Sequence, residues 1–212
     1  MKLSIGVLGL FAMLVTPLIG AAQEAEVSAN VGWVSEYYYR GIPQKTSSGS
    51  AGLDLSAGAF SAGTWAADVG DGNEVDLYAG LGAETSEGFS VSVGGTGYFY
   101  TGDFDDTYLE GNLNAGYQAL SAEFSYGTYN TSPKNQTYWF LGITLESAGG
   151  FYTTFGTFGK DFSGEYFEAG YGTSVGGLDL SAAWIYSDAE LSGTEAKDHN
   201  LVFSVGHTFG IN

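Results

Sequence analysis

The chain has 212 residues, among them 34 glycines, 15 tyrosines and 14 phenylalanines, with three prolines, no cysteine and a formal charge of −18. The missing cysteine excludes a disulfide framework and a lipid-acceptor cysteine, and the acidic balance is the opposite of a nucleic-acid footprint. Charged residues make up 14%, well under the roughly 25% of a soluble domain, so much of the surface faces something other than water.

Lys2, the apolar run over 3–19 and the small residues Gly20-Ala21-Ala22 read as a secretory signal over residues 1–22, cleaved before Gln23. The run is shorter than the roughly 20 residues of a membrane span and contains Pro17, which argues against an anchor. Cleavage removes Lys2 and moves the formal charge from −18 to −19. Residues 23–212 contain no linker and form one domain. No later segment reaches helical spanning length, so an exported chain of this kind enters a membrane only as a β-barrel.

From Val27 the chain alternates with a period of two. Val27, Ala29, Val31 and Trp33 share one parity, and Ser28, Asn30, Gly32 and Glu36 the other, which also carries Arg40, the only arginine. About twelve such segments follow one another. In the second, Leu53 and Leu55 oppose Asp54; in the third, Trp65, Ala67 and Val69 oppose Asp68; in the fourth, Val75 and Leu77 oppose Asp76 and Tyr78. Later ones set Leu109 and Leu113 against Glu110, Phe124 against Glu123, Leu145 against Glu146, Phe167 against Glu168, and Leu178 and Leu180 against Asp179. No charge falls on the apolar parity of any segment, as a lipid-facing surface demands, because a charge there costs up to roughly 2–4 kcal/mol.

The connections alternate in length. Longer polar ones are expected at 44–50, 70–74, 101–106, 130–136, 160–165 and 187–199, and short ones at 61–63, 86–88, 118–119, 148–150 and 176–177. The expected fold is all-β: an antiparallel transmembrane β-barrel of about twelve strands, ten to fourteen at the limits, with a periplasmic N-terminus and the longer loops outside. Tyr37, Tyr39, Trp65, Phe99, Tyr117, Tyr126, Trp139, Tyr171 and Trp184 are then expected in the interfacial girdles.

Ser35-Glu36-Tyr37, Arg40-Gly41, Gln44, Gly63-Thr64-Trp65 and Glu74-Val75-Asp76-Leu77-Tyr78-Ala79-Gly80 resemble the TorF-type outer-membrane porin family, Gcw_chp-like bacterial β-barrel proteins. The resemblance covers most of the mature chain and is strongest over 27–82. It implies an outer-membrane location in a Gram-negative bacterium, and such chains end near an aromatic like Phe209, whereas Gly210-Ile211-Asn212 follow here.

The inward parity collects Glu36, Asp54, Asp68, Asp76, Glu110, Glu123, Glu146, Glu168 and Asp179, with Arg40 as the inward cation. A lumen lined by carboxylates attracts cations. Alternatively, the same carboxylates hydrogen-bond lumen tyrosines in a plugged barrel. Lumen glycines (Gly32, Gly80, Gly94, Gly142, Gly170) are expected to leave space for solute. An isolated guanidinium in a narrow lumen is costly, so Arg40 is expected to pair with one or more of the acids.

The run 68–76 has oxygen-bearing residues at alternate positions but lacks calcium-loop spacing and a closing glutamate, and reads as an Asp-Gly hairpin. His199, in a loop, and His207, on the lipid parity, have no serine partner, so neither an enzyme nor a cofactor or metal site is expected. The expected function is a passive, cation-preferring porin for small polar solutes. The alternative is a non-conducting structural or adhesion barrel. Expected partners are outer-membrane lipids and lipopolysaccharide, the outer-membrane assembly machinery and small polar or cationic solutes.

Overall fold

The computed structural model describes residues 25–194 and 196–211; the signal reading over 1–22 lies outside them. The strands are β1 (Glu26–Tyr39), β2 (Ile42–Ala57), β3 (Phe60–Gly70), β4 (Gly72–Glu84), β5 (Phe89–Tyr100), β6 (Thr107–Tyr117), β7 (Leu120–Asn130), β8 (Gln136–Glu146), β9 (Phe151–Lys160), β10 (Glu165–Val175), β11 (Leu178–Ser187) and β12 (Asp198–Ile211). A one-turn helix, α1 (Ala189–Ser192), precedes β12, capped by the Asp188 carboxylate, which accepts from the Leu191 N–H. Each strand pairs antiparallel with its sequence neighbour, and β1 pairs with β12 from Val27↔Ile211 to Val34↔Ser204, which closes a twelve-stranded barrel. Closure satisfies the strand edges that an open sheet would leave bare.

The alternation decides which side chains go out. Every strand exposes large apolar residues on its outer face, for example Val31, Leu53, Leu77, Val93, Leu113, Leu145, Phe151 and Leu201. Tight connections cluster at the end of the barrel where β1 starts. There Gly176 and Gly177, both with positive φ, make the two-residue β10–β11 turn that a twisted hairpin prefers. The connections over 101–106, 131–135 and 161–164, and the described residues 188–194 before β12, project from the opposite end, close to where the alternation places them.

The first connections differ from expectation. Residues 44–50 are not a loop; they lie in β2, and the β1–β2 turn is residues 40–41, both with positive φ (47° and 79°). The wall pairing stops early: β1 leaves β12 after Val34, and β2 meets β3 only from Ser50↔Ala67. Between these points Glu36↔Thr46, Tyr37↔Lys45, Tyr38↔Pro43 and Tyr39↔Ile42 pair only with each other, with a register shift at Tyr37/Tyr38. The result is a two-stranded ribbon that bends into the barrel, where the Ser187 hydroxyl donates to the Gly41 carbonyl at 2.5 Å. A Cβ on Gly41 would lie 2.5 Å from the Tyr166 Cβ, so the tip fits only as glycine.

The ribbon also reverses the reading of β3. Trp65, Ala67 and Val69 point inward: Ala67 and Val69 are buried with Val34, Tyr37, Ile185 and Val202, and Trp65 packs edge-on to Tyr37. Asp68 accordingly lies on the outer side, half-exposed, paired with Lys45. Tyr37, Tyr39 and Trp65 therefore line the interior and are not girdle residues. His199 lies in β12, opposite Tyr186, rather than in a loop.

Candidate functional site: the closed half of the lumen

Arg40 sits at the ribbon tip and reaches the opposite wall. In the strand order, β7 is six places from β1 in either direction, so an Arg40–Glu123 contact crosses the full lumen. The guanidinium donates from Nη1 to Glu110 Oε1 (2.6 Å) and from Nη2 to Glu110 Oε2 (3.1 Å), a bidentate fork. Nη2 also donates to Glu123 Oε1 and to Ser125 Oγ (3.1 Å). Its Cζ lies 4.3 Å from the Phe140 ring centroid and 4.9 Å from that of Tyr39, both within cation–π range.

The acceptors are held in place by their own strands. Glu110 on β6 also receives the hydroxyls of Tyr138 (2.7 Å) and Tyr98 (3.1 Å) and the Asn112 amide (3.0 Å). Asn112 donates to Ser125 Oγ at 2.9 Å, and Ser125 in turn donates to Glu123 at 2.9 Å. The Glu110 side chain is fully buried, and its charge is affordable there only because a fork and three further donors satisfy it. A largely aromatic layer of Tyr138, Phe140, Phe158 and Tyr166, joined by Leu191 of α1 and with Ile42 and Phe162 packed on it, closes the lumen above.

Tyrosine–carboxylate pairing repeats around the interior. Tyr37 (2.5 Å) and Tyr100 (2.8 Å) donate to Glu74, Tyr78 donates to Asp54, and Tyr152 to Glu168. Asp54 also accepts from Asn30 at 3.1 Å. At the loop end of the barrel, Tyr108 on β6 (2.8 Å) and Tyr129 on β7 (2.7 Å) share Asp105 in the β5–β6 loop. Among the described residues, Asp76 Oδ1 is the buried side-chain polar atom with no hydrogen-bond partner.

The opposite half of the lumen is open. A cavity of about 400 Å³ runs from the turn residues Gly88, Gln118 and Ala119 up to Arg40 and Gly41, bordered by Glu36, Glu123, Glu146 and Glu168. Glu146 lies exposed at its rim, and Asp179 accepts from Ser174 at the same end of the barrel. Of the predicted acids, Glu110 and Glu123 converge on Arg40, Asp54 and Glu168 are tied to tyrosines, Asp76 is buried, and Asp68 is outside.

The sequence reading missed Glu74, assigned to a connection, and the tyrosines that donate to the acids. Phe140 and Phe158 on the inward parity were the available signal, since apolar residues facing a lumen mark where it is packed rather than wet. Gly170 does not leave space either. The Tyr152 ring, from the directly opposite position on β9, lies where its Cβ would be (2.5 Å), and Tyr166 covers Gly156 in the same way. The run 68–76 is the β3–β4 hairpin, turning at Asp71 between Gly70 and Gly72.

Residues 19–209 match the model of a family described as "Bacterial protein of unknown function (Gcw_chp)". No curated protein matches the chain. A solved structure described as "Unveiling the Mechanism Behind the in-meso Crystallization of Membrane Proteins" is similar at 10% identity with a TM-score of 0.57, over 88% of this chain and 84% of that one. The outer membrane protein OprD of Pseudomonas aeruginosa aligns at 12% identity and a TM-score of 0.43, over 88% of this chain and 65% of OprD. For OpdK of the same organism the values are 12%, 0.41, 84% and 61%. At these identities the likeness concerns the fold alone.

Proposed function

The chain belongs to the Gcw_chp family of bacterial proteins, and from that premise we propose that it is a porin-like channel of a Gram-negative outer membrane, passing small polar solutes with a preference for cations. The observation that carries the proposal is an acid-bordered cavity of about 400 Å³ inside a closed barrel whose outer face is apolar on every strand. A monomer in water rarely exposes apolar patches beyond a few hundred Å². In lipid the same band is the expected outer surface of a barrel. The TorF-type porin label indicated most strongly by residues 27–82 belongs to this proposal. So do the cleaved signal over 1–22, the periplasmic position of the short turns, and contacts with outer-membrane lipids, lipopolysaccharide and the assembly machinery. No catalytic step is proposed.

In this conformation the ribbon fills the loop-side half of the lumen, so conduction requires it to move. That same packing favours a second reading, a non-conducting structural barrel, because tyrosines and Arg40 satisfy most of the buried carboxylates. Planar-bilayer recording separates the two. Discrete current steps with a cation-sided reversal potential in a salt gradient are expected; silence from protein that still shows heat-modifiable gel mobility would leave the structural barrel.

A further inference from the structure

We propose that the pocket around Arg40 is a guanidinium-binding site, and that the protein's own arginine holds it in place of a guanidinium-bearing solute. The solute class rests on the channel reading; the site does not. The acceptors, Glu110, Glu123 and Ser125, and the Phe140 ring face all belong to β6, β7 and β8, strands in the unbroken wall. Tyr138, Tyr98, Asn112 and Ser125 orient the two carboxylates through bonds that do not involve Arg40. The cation, by contrast, arrives on the ribbon, whose two strands have no ladder partner beyond each other. Thus the wall carries a built receptor, and a tethered side chain supplies the occupant.

The chemistry selects a planar fork. Glu110 presents both oxygens to two nitrogens of one guanidinium, a second carboxylate and a hydroxyl share the remaining N–H of Nη2, and an aromatic face covers the plane. An ammonium cannot satisfy this geometry as a unit. The cavity gives access, because Arg40 and Glu123 both border it. The ribbon would stay tied by Lys45–Asp68 and, nearer its tip, by Tyr38–Asp198. Because the tether gives Arg40 an effective concentration in the millimolar range, affinity for a free ligand shows best once Arg40 is gone.

The test is chemical rescue of Arg40→Gly, which removes the side chain where the backbone already has the glycine conformation. Thermal unfolding of purified protein in detergent is followed by heat-modifiable gel mobility. Millimolar methylguanidinium chloride is expected to raise the variant's midpoint by several degrees, and equal methylammonium or sodium chloride to leave it unchanged; the wild type, already occupied, responds to none of them. Equal responses to all three salts, or no response, would overturn the proposal. A second measurement keeps Arg40 in place: the chain has no cysteine, so Ile42→Cys gives one reporter on the ribbon, packed against the aromatic layer. Agmatine is expected to accelerate its labelling by an impermeant maleimide, and putrescine is not; identical rates would sink displacement. Neither readout uses current, so rescue by a protein silent in bilayers removes the channel reading alone.

Discussion

The two halves of the lumen use the same residue types and reach opposite results. On the loop side, acids meet tyrosine hydroxyls and a guanidinium within a few ångströms, and Glu110, Glu74 and Asp76 are almost completely buried. On the short-turn side only Asp54, opposite Ser28, keeps a tyrosine donor among the predicted acids, while Glu146 stands exposed at the mouth of a cavity and Asp179 accepts from a serine hydroxyl. What separates them is the ribbon, which brings its apolar and tyrosine side chains into one half only. A carboxylate is structural where the ribbon excludes water and electrostatic where water remains.

The sharpest way to break that contrast is to neutralise one acid in each half. Glu110→Gln leaves the Arg40 charge buried with a weakened partner and should cost about 3–5 kcal/mol, read from denaturant unfolding in detergent micelles. Gly156→Ala tests whether tyrosines over glycines, rather than empty space, fill the closed half. A Cβ there would lie 2.1 Å from the Tyr166 ring, so overpacking should destabilise by about 1–3 kcal/mol in the same assay. Lys45→Ala removes a half-exposed ion pair at the ribbon's base and should change stability by less than about 1 kcal/mol. A larger loss would mean that this pair, and not the Arg40 fork, anchors the ribbon. Glu146→Gln should leave stability within about 0.5 kcal/mol. Its expected effect is a reduced cation preference in the reversal potential, and an unchanged potential would show that the open half does not select.

Much of the barrel was legible because a strand between lipid and lumen must alternate. Leu109/Glu110, Phe124/Glu123 and Phe167/Glu168 could be assigned to faces from parity alone, and the closing pairs with β12 follow that parity. The reading failed at β3 for a physical reason. Parity says which residues share a face, and polarity says which face is wet; near the ribbon the inner face is dry, so Trp65, Ala67 and Val69 look lipid-facing while pointing inward. The β1–β2 turn failed for a related reason. Arg-Gly is not an Asn-Gly or Asp-Gly hairpin signal, and the serines over 46–50 resemble a loop although they continue β2.

By itself, the sequence determined a barrel of alternating strands, an acidic interior and the need of its single arginine for carboxylate partners, since these follow from local period and charge. It could not say that the arginine crosses the lumen to Glu110 and Glu123, because those partners lie 70 and 83 residues away and meet it only once the barrel has closed and the ribbon has folded in. Whether an inward acid faces water or a tyrosine was likewise a matter for the tertiary structure. Hydration at a lumen site depends on what a distant segment places over it, and no local period records that.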